Sequence, residues 1–277
     1  MSALREQFIQ QMQLKGYSPR SIKTYVESLI HLSKFYQAGP DSLSQQQIRD
    51  YLQRCAIEKN FSTSFINQCI GAVKILFVQV LKREWDPISI PRMKREKKLP
   101  VVLSKQEVAS IFEGIKNIRH KTILMVTYSA GLRVSETRNL RINDIDSKRM
   151  QIRVRQAKGA KDRYVILSAV VLDQLRIYYK TYRPKEWLFA SQQSEKISEK
   201  MIQHVFKTAI KRAGIIKKVS IHSLRHSFAT HLMEQGVSLP IIQQLLGHRS
   251  LRTTSVYLHV QQYAVDLVKS PLDSLSI

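Results

Sequence analysis

The chain has 277 residues, 43% of them hydrophobic, which is enough to bury the cores of two ordinary domains and too apolar for a disordered protein. Its 45 Lys and Arg against 21 Asp and Glu give a net charge of +24, far beyond what solubility requires, and this points to a polyanionic partner. No apolar run of about 18 residues occurs and the first residues, Met1-Ser-Ala-Leu-Arg-Glu-Gln7, are polar and helix-like, so neither a membrane span nor a secretory leader is expected, and a cytoplasmic location is.

Ser18-Pro19 sets a capping hydroxyl before a proline at a first helical position, and Ile22, Tyr25, Val26, Leu29, Leu32 and Tyr36 follow at helical spacing. Ser44-Gln-Gln-Gln47 is a capping box ahead of Ile48, Tyr51, Leu52 and Cys55. Ile66, Ile70, Val73, Phe77 and Val80 mark another amphipathic helix, which Trp85-Asp86-Pro87 stops. Cys55 and Cys69 fall within these apolar patterns and read as reduced core residues. Residues 1–90 are therefore expected to form an N-terminal helical domain. The stretch 91–102 carries Arg92-Met-Lys-Arg-Glu-Lys-Lys98 between prolines at 87, 91 and 100, without helical or strand period, and reads as a basic linker that straps along a phosphate backbone.

The basic excess is spread along the chain: 11 basic and 7 acidic residues lie in 1–90, 5 and 1 in 91–100, and 29 and 13 in the remainder. A tail-borne charge would suggest an anchor, whereas a distributed one suggests folded surfaces that clasp nucleic acid.

Ser104-Lys-Gln-Glu107 is a second capping box and opens a domain over 103–277. An apolar helix over 121–130 ends at Gly131, with Ser135 available to cap the next one. The period then becomes alternating: Gln151-Ile-Arg-Val-Arg155 and Arg163-Tyr-Val-Ile-Leu167 flank Ala157-Lys-Gly-Ala-Lys161, a β-hairpin with Gly159 in its turn. Helices are expected again at Ser168, Ser198 and Ser220. The fold class is thus mainly α, with a C-terminal α+β domain containing a small antiparallel sheet.

His222 and Arg225 stand three apart at the start of a helix that runs to Gly236, on one face of its first turn, where helix amides also favour an anion. Leu245-Leu-Gly-His248 ends another helix, opened by Ser238 and Pro240 and capped by Gly247, and Tyr257 follows on a short Thr- and Ser-rich segment. Arg133 comes just after a helix cap, with Glu136 one turn further on. Each piece is common alone.

In this order, Gly131-Leu-Arg133-Val-Ser-Glu136, Ala157-Lys158-Gly-Ala-Lys161-Asp-Arg163, His222-Ser-Leu-Arg225-His-Ser-Phe-Ala-Thr-His231, Leu246-Gly-His248 and Tyr257-Leu-His259 closely resemble the tyrosine recombinase (phage integrase) family, in particular its Xer-like members and the integrases of mobile elements. The resemblance covers the C-terminal domain from about Leu103. Less specifically, the N-terminal bundle with its Gly16-Tyr-Ser-Pro19 and Thr24-Tyr25 text resembles the family's SAM-like core-binding domain. It implies a catalytic set of Arg133, Lys158, His222, Arg225, His248 and Tyr257. In that set Arg133 and Arg225 clamp the scissile phosphate, Lys158 protonates the leaving 5′ oxygen, His222 and His248 assist by proton transfer or hydrogen bonding, and Tyr257 attacks to form a 3′-phosphotyrosyl bond. Glu136 would support the arginines. The hairpin holds a second lysine, Lys161, and the family pattern favours Lys158. The implied partners are double-stranded DNA with a specific recombination site and three further copies of the chain, a tetramer on two duplexes, with a partner recombinase or accessory protein possible; no metal and no cofactor is implied. The apolar tail over 264–277, with Val265, Leu267, Val268, Pro271, Leu272 and Leu275, would dock on a neighbouring copy.

Elementary chemistry is consistent with those roles. A phosphodiester under attack gains charge on its non-bridging oxygens, which two guanidiniums neutralise with bidentate donors. A phenol with an ordinary pKa of about 10 needs a base or a positive field to attack. Rival readings are a zinc hydrolase built on His222, His226 and His231, a type IB topoisomerase with similar phosphotyrosyl chemistry, and a DNA-binding protein without catalysis. Against zinc, no H-E-x-x-H occurs and no cysteine lies near those histidines; His226 and His231 are instead expected to pack or to touch phosphate.

Overall fold

The computed structural model describes residues 3–57, 61–86, 91–94, 99–157, 161–191, 196–248 and 250–259. The chain divides into two units, Met1–Lys97 and Lys98–Ile277, each around an apolar core of its own.

In the first unit, α1 (Ala3–Leu14) precedes α2 (Pro19–Tyr36), whose start is set by Ser18 accepting from the Ser21 N–H and by Pro19 in the first turn. The Ser44 and Gln47 side chains satisfy each other's backbone N–H groups ahead of α3 (Gln45–Ile57). The next helix, α4 (Thr63–Ile75), packs on α2 and passes into a π-helical turn over Leu76–Val80. Phe8, Met12, Leu32, Ile48, Ile66 and Leu76 fill the centre, and Cys55 and Cys69 are buried and free there. By length and composition Thr63–Val80 could cross a bilayer, but 56% of it is buried in this core, where it serves as the unit's central helix.

The second unit begins with the Ser104 and Glu107 capping box at α5 (Lys105–Glu113), followed by α6 (Ile118–Ser129) and α7 (Val134–Arg138). Ser135, expected to cap α7, lies inside it instead. The helix starts at Val134 because the Glu136 carboxylate takes the backbone N–H of Arg133 at 2.8 Å, satisfying a helix-start donor from within. A three-stranded antiparallel sheet follows in the order β1 (Ile145–Asp146), β2 (Gln151–Ala157), β3 (Lys161–Ile166). Ile152 pairs with Val165 and Val154 with Arg163, so Ile152, Val154 and Val165 face the core while Tyr164 stands outside. The register slips between Val154 and Ala157. The short β1 had no sequence signal, being two residues long. Lys158, Gly159 and Ala160 lie outside the described residues, as does the tail beyond 259.

The serines expected at helix starts take those places before α8 (Ala169–Tyr182), α9 (Glu199–Arg212) and α10 (Ile221–Glu234). Gly247, at φ 63, caps α11 (Leu239–Leu246), and α12 (Leu251–Thr254) runs into a 3₁₀ turn over Ser255–His259. Phe228, Met233, Ile242, Leu246 and Tyr257 form a small apolar cluster that ties these last elements to α10.

Candidate active site

The site starts at the end of α6. Gly131 adopts φ 58, and a Cβ there would lie 2.4 Å from the Phe228 ring, so both the left-handed backbone and the close approach of α10 demand glycine. Its carbonyl accepts from Nη1 of Arg225 at 2.7 Å. The Leu246 carbonyl accepts from Nη2 of the same side chain, and the Leu245 carbonyl accepts from Nε of Arg163 at 2.9 Å. Two orphan carbonyls of the α11 C-terminus are thereby satisfied by guanidiniums, which fixes the point from which His248 projects. Gly247 leaves the space this needs, since a Cβ there would meet Arg163 Cδ at 3.0 Å.

Glu136 is the hub. Its Oε1 accepts from Nη1 of Arg133 at 2.7 Å and from Nη1 of Arg163 at 2.8 Å; its Oε2 accepts from Nη2 of Arg163 at 2.8 Å and lies 3.6 Å from Nη1 of Arg225. One buried carboxylate therefore positions three guanidiniums. Burial opposes its charge, but the hydrogen bonds and charge of Arg163, the Arg133 N–H and then Arg225 hold its pKa down at about 2. Arg225 is 4% exposed; desolvation, then Arg133, bring its pKa down to about 9, which leaves it charged at neutral pH. Arg133, held by the same carboxylate, is the more open of the two, with 23% of its side chain exposed.

Tyr257 is 3% exposed in the apolar cluster between α10 and α11, and its hydroxyl is hydrogen-bonded to Nδ1 of His226 at 3.0 Å. Burial raises the phenol pKa, and the charges of Arg225 and Arg133 pull against that rise. His248 is hydrogen-bonded through Nδ1 with the buried Thr254 hydroxyl at 2.9 Å, and burial followed by Arg225, Arg133 and Arg163 lowers its pKa to about 4. His222 is exposed on the first turn of α10, with a pKa lowered by partial desolvation and then by Arg225 and Arg133. The His248 ring is therefore neutral at pH 7, and a neutral imidazole can donate one hydrogen bond to an anion.

Arg133, His222, Arg225, His248 and Tyr257 thus gather in one place from separate stretches between the end of α6 and the last 3₁₀ turn, while Lys158 is outside the described residues. Two members were not foreseen. Arg163 takes a core-facing position of β3 in phase with Val165, an arginine on the apolar beat of an alternating strand, and that period was its signal. His226, expected to pack or touch phosphate, packs its ring against Tyr257 and also binds that hydroxyl, a contact with no local signature. His231 is hydrogen-bonded to Tyr128 at 2.8 Å, so the three histidines of α10 are not one ligand set, and no group of His, Cys, Asp and Glu suited to a metal occurs among the described residues.

Residues 101–263 match the model of the phage integrase family, and residues 4–87 match that of the phage integrase N-terminal SAM-like domain. The y4qK protein of Sinorhizobium fredii is 38% identical over 277 residues, spanning 99% of this chain and 90% of that protein. Tyrosine recombinase XerA of Pyrococcus horikoshii is 35% identical over 94% of this chain and 90% of its own length. Among solved structures, a lambda integrase dimer bound to a core site shares the fold with a TM-score of 0.75 at 17% identity, over 91% of this chain and 96% of that one.

Proposed function

The chain belongs to the phage integrase family and is a tyrosine-type site-specific DNA recombinase, and we propose that it cuts and rejoins the strands of a specific DNA site through a 3′-phosphotyrosyl bond to Tyr257, with no metal and no ATP. The observation that carries this reading is the buried Tyr257 hydroxyl hydrogen-bonded to His226, the residue next to Arg225, with Arg133 and Arg225 both set against Glu136. In it, Arg133 and Arg225 bind the non-bridging oxygens and absorb the charge that develops as phosphorus becomes five-coordinate, where preorganised donors contribute most. His222 and His248 add hydrogen bonds to the same oxygens, and Lys158 gives a proton to the departing 5′ oxygen, a far stronger base than a phenolate.

The phosphotyrosyl bond conserves the energy of the broken linkage, so a new 5′ hydroxyl can displace Tyr257 without further fuel. Exchange between two duplexes requires several copies, and a tetramer, with a second recombinase or accessory protein where the site demands one, is the assembly that fits. Action on chromosomal or mobile DNA is in keeping with a cytoplasmic protein. We expect Tyr257→Phe to bind its DNA as the unaltered protein does and to form no covalent adduct. Adduct formed by that variant, read on a denaturing gel with labelled DNA, would place the nucleophile elsewhere.

A further inference from the structure

We infer that His226 is a catalytic residue, the group that takes the proton from the Tyr257 hydroxyl as that oxygen attacks phosphorus; this rests on the reading of Tyr257 as nucleophile. Nδ1 of His226 is 3.0 Å from the Tyr257 oxygen, and the two rings lie 5.7 Å apart with their planes tilted by 53°. Tyr257 is 3% exposed, and as its oxygen attacks, the proton goes most directly to a base within hydrogen-bond reach. Among the described residues, His226 is the imidazole hydrogen-bonded to that oxygen; His248 is hydrogen-bonded through Nδ1 with Thr254, and His222 stands exposed at the helix start.

The step balances. In cleavage the Tyr257 oxygen bonds to phosphorus, the bond from phosphorus to the 5′ oxygen breaks, the phenol proton passes to Nδ1 of His226, and the 5′ oxygen leaves with the proton of Lys158. In rejoining, a 5′ hydroxyl gives its proton to Lys158 and attacks, and Tyr257 leaves with the proton held on His226. Among the described residues, the charged and titratable groups around the His226 ring are His222 and Arg225 from its own helix, His248 from the turn after α11, and Tyr257. Burial, then His222 and Arg225, hold its pKa down to about 4, so the resting ring is neutral, and the tautomer with its proton on Nε2 accepts the phenol hydrogen at Nδ1. A phosphodiester seated on Arg225 offsets that cationic field and makes the ring more basic, while the phenol oxygen loses basicity as its bond to phosphorus forms. Proton transfer concerted with attack is therefore downhill where transfer in the resting state is not.

The test uses the full-length protein and single-turnover cleavage of a nicked suicide duplex. His226→Asn keeps an acceptor near the place of Nδ1 but cannot take a proton, and His226→Ala removes both. We expect both variants to bind DNA normally and to cleave about 10²- to 10⁴-fold more slowly, the range of a lost general base. Their rates should climb with pH where the unaltered protein is flat, added imidazole should speed His226→Ala, and a 5′-phosphorothiolate linkage, whose leaving group needs no proton, should leave the defect in place. Cleavage by His226→Asn as fast as by the unaltered protein would reduce His226 to a hydrogen-bonding support, and slow variants indifferent to pH and imidazole would reject it as the base. Should His226→Ala fail to fold, His226→Asn carries the same comparison. Adduct formed by Tyr257→Phe would sink the nucleophile reading itself, whereas a fast His226→Asn that still forms its adduct on Tyr257 would sink only this inference.

Discussion

Glu136 shows how a single residue can govern a site it does not touch chemically. A carboxylate 8% exposed loses hydration, and it stays ionised only because Arg163 grips it with two hydrogen bonds and Arg133 and Arg225 add their charge. Such a buried cluster contributes geometry more than net stability, since desolvation offsets much of the Coulomb gain. Its disruption is another matter, because three guanidiniums would be left facing one another. Glu136→Gln should therefore cost about 3 to 5 kcal/mol, the usual loss when one partner of a buried pair is removed, measured by urea unfolding at neutral pH. The sign with pH follows from a depressed carboxylate: the stability it supplies is fully present above its ordinary 4.5 and is lost as pH falls through about 2. The gap between the two proteins should accordingly narrow on acidification, and a gap constant from pH 7 to 2 would show that Glu136 does not draw its stability from the ionised form.

At the level of elements, the site is a meeting of ends: the turn after α6, the start of α10 and the finish of α11. Gly131 is where the first two touch, and replacing it with alanine forces an L side chain into φ 58 and into the Phe228 ring. The left-handed backbone costs about 1 to 2 kcal/mol and overpacking a further 1 to 3, so Gly131→Ala should lower the urea midpoint markedly. It should also slow cleavage in the fraction that remains folded, because the Gly131 carbonyl holds Arg225. A variant as stable and active as the parent would show that this turn does not position the arginine. The turn glycine, the capping serines and the hairpin strands were legible in sequence because caps and periods are local. The same local signals misplaced the start of α7, where Glu136 outcompeted Ser135 for the role of cap. They could not reach the Arg225 bond to Gly131, 94 positions away, nor the His226 bond to Tyr257, 31 positions away, since period reports which face a residue takes and not whom it meets. Arg163 was legible in principle, and the usual preference of arginine for solvent hid it.

For the molecule as a whole, charge is the property that no single pocket explains. A net +24 spread over both units, the basic stretch at their junction included, greatly exceeds what one phosphate clamp can use, and a duplex presents phosphates along the full length of a recombination site. Each phosphate neutralised releases condensed counterions, so the logarithm of affinity should fall linearly with the logarithm of salt concentration, by about 0.9 per phosphate. If 91–100 follows the backbone as its composition suggests, changing Arg92, Lys94, Arg95, Lys97 and Lys98 together to glutamine should make that slope shallower by roughly 0.9 for every phosphate the stretch no longer neutralises. Cleavage of DNA already bound should persist, because every side chain proposed for the chemistry lies in the second unit. Fluorescence anisotropy over a range of salt concentrations measures the slope, and single-turnover adduct formation at saturating protein measures the chemistry. An unchanged slope would detach this stretch from the phosphate backbone. A parallel fall in the cleavage rate at saturation would mean that it helps to shape the catalytic unit as well as to hold the DNA.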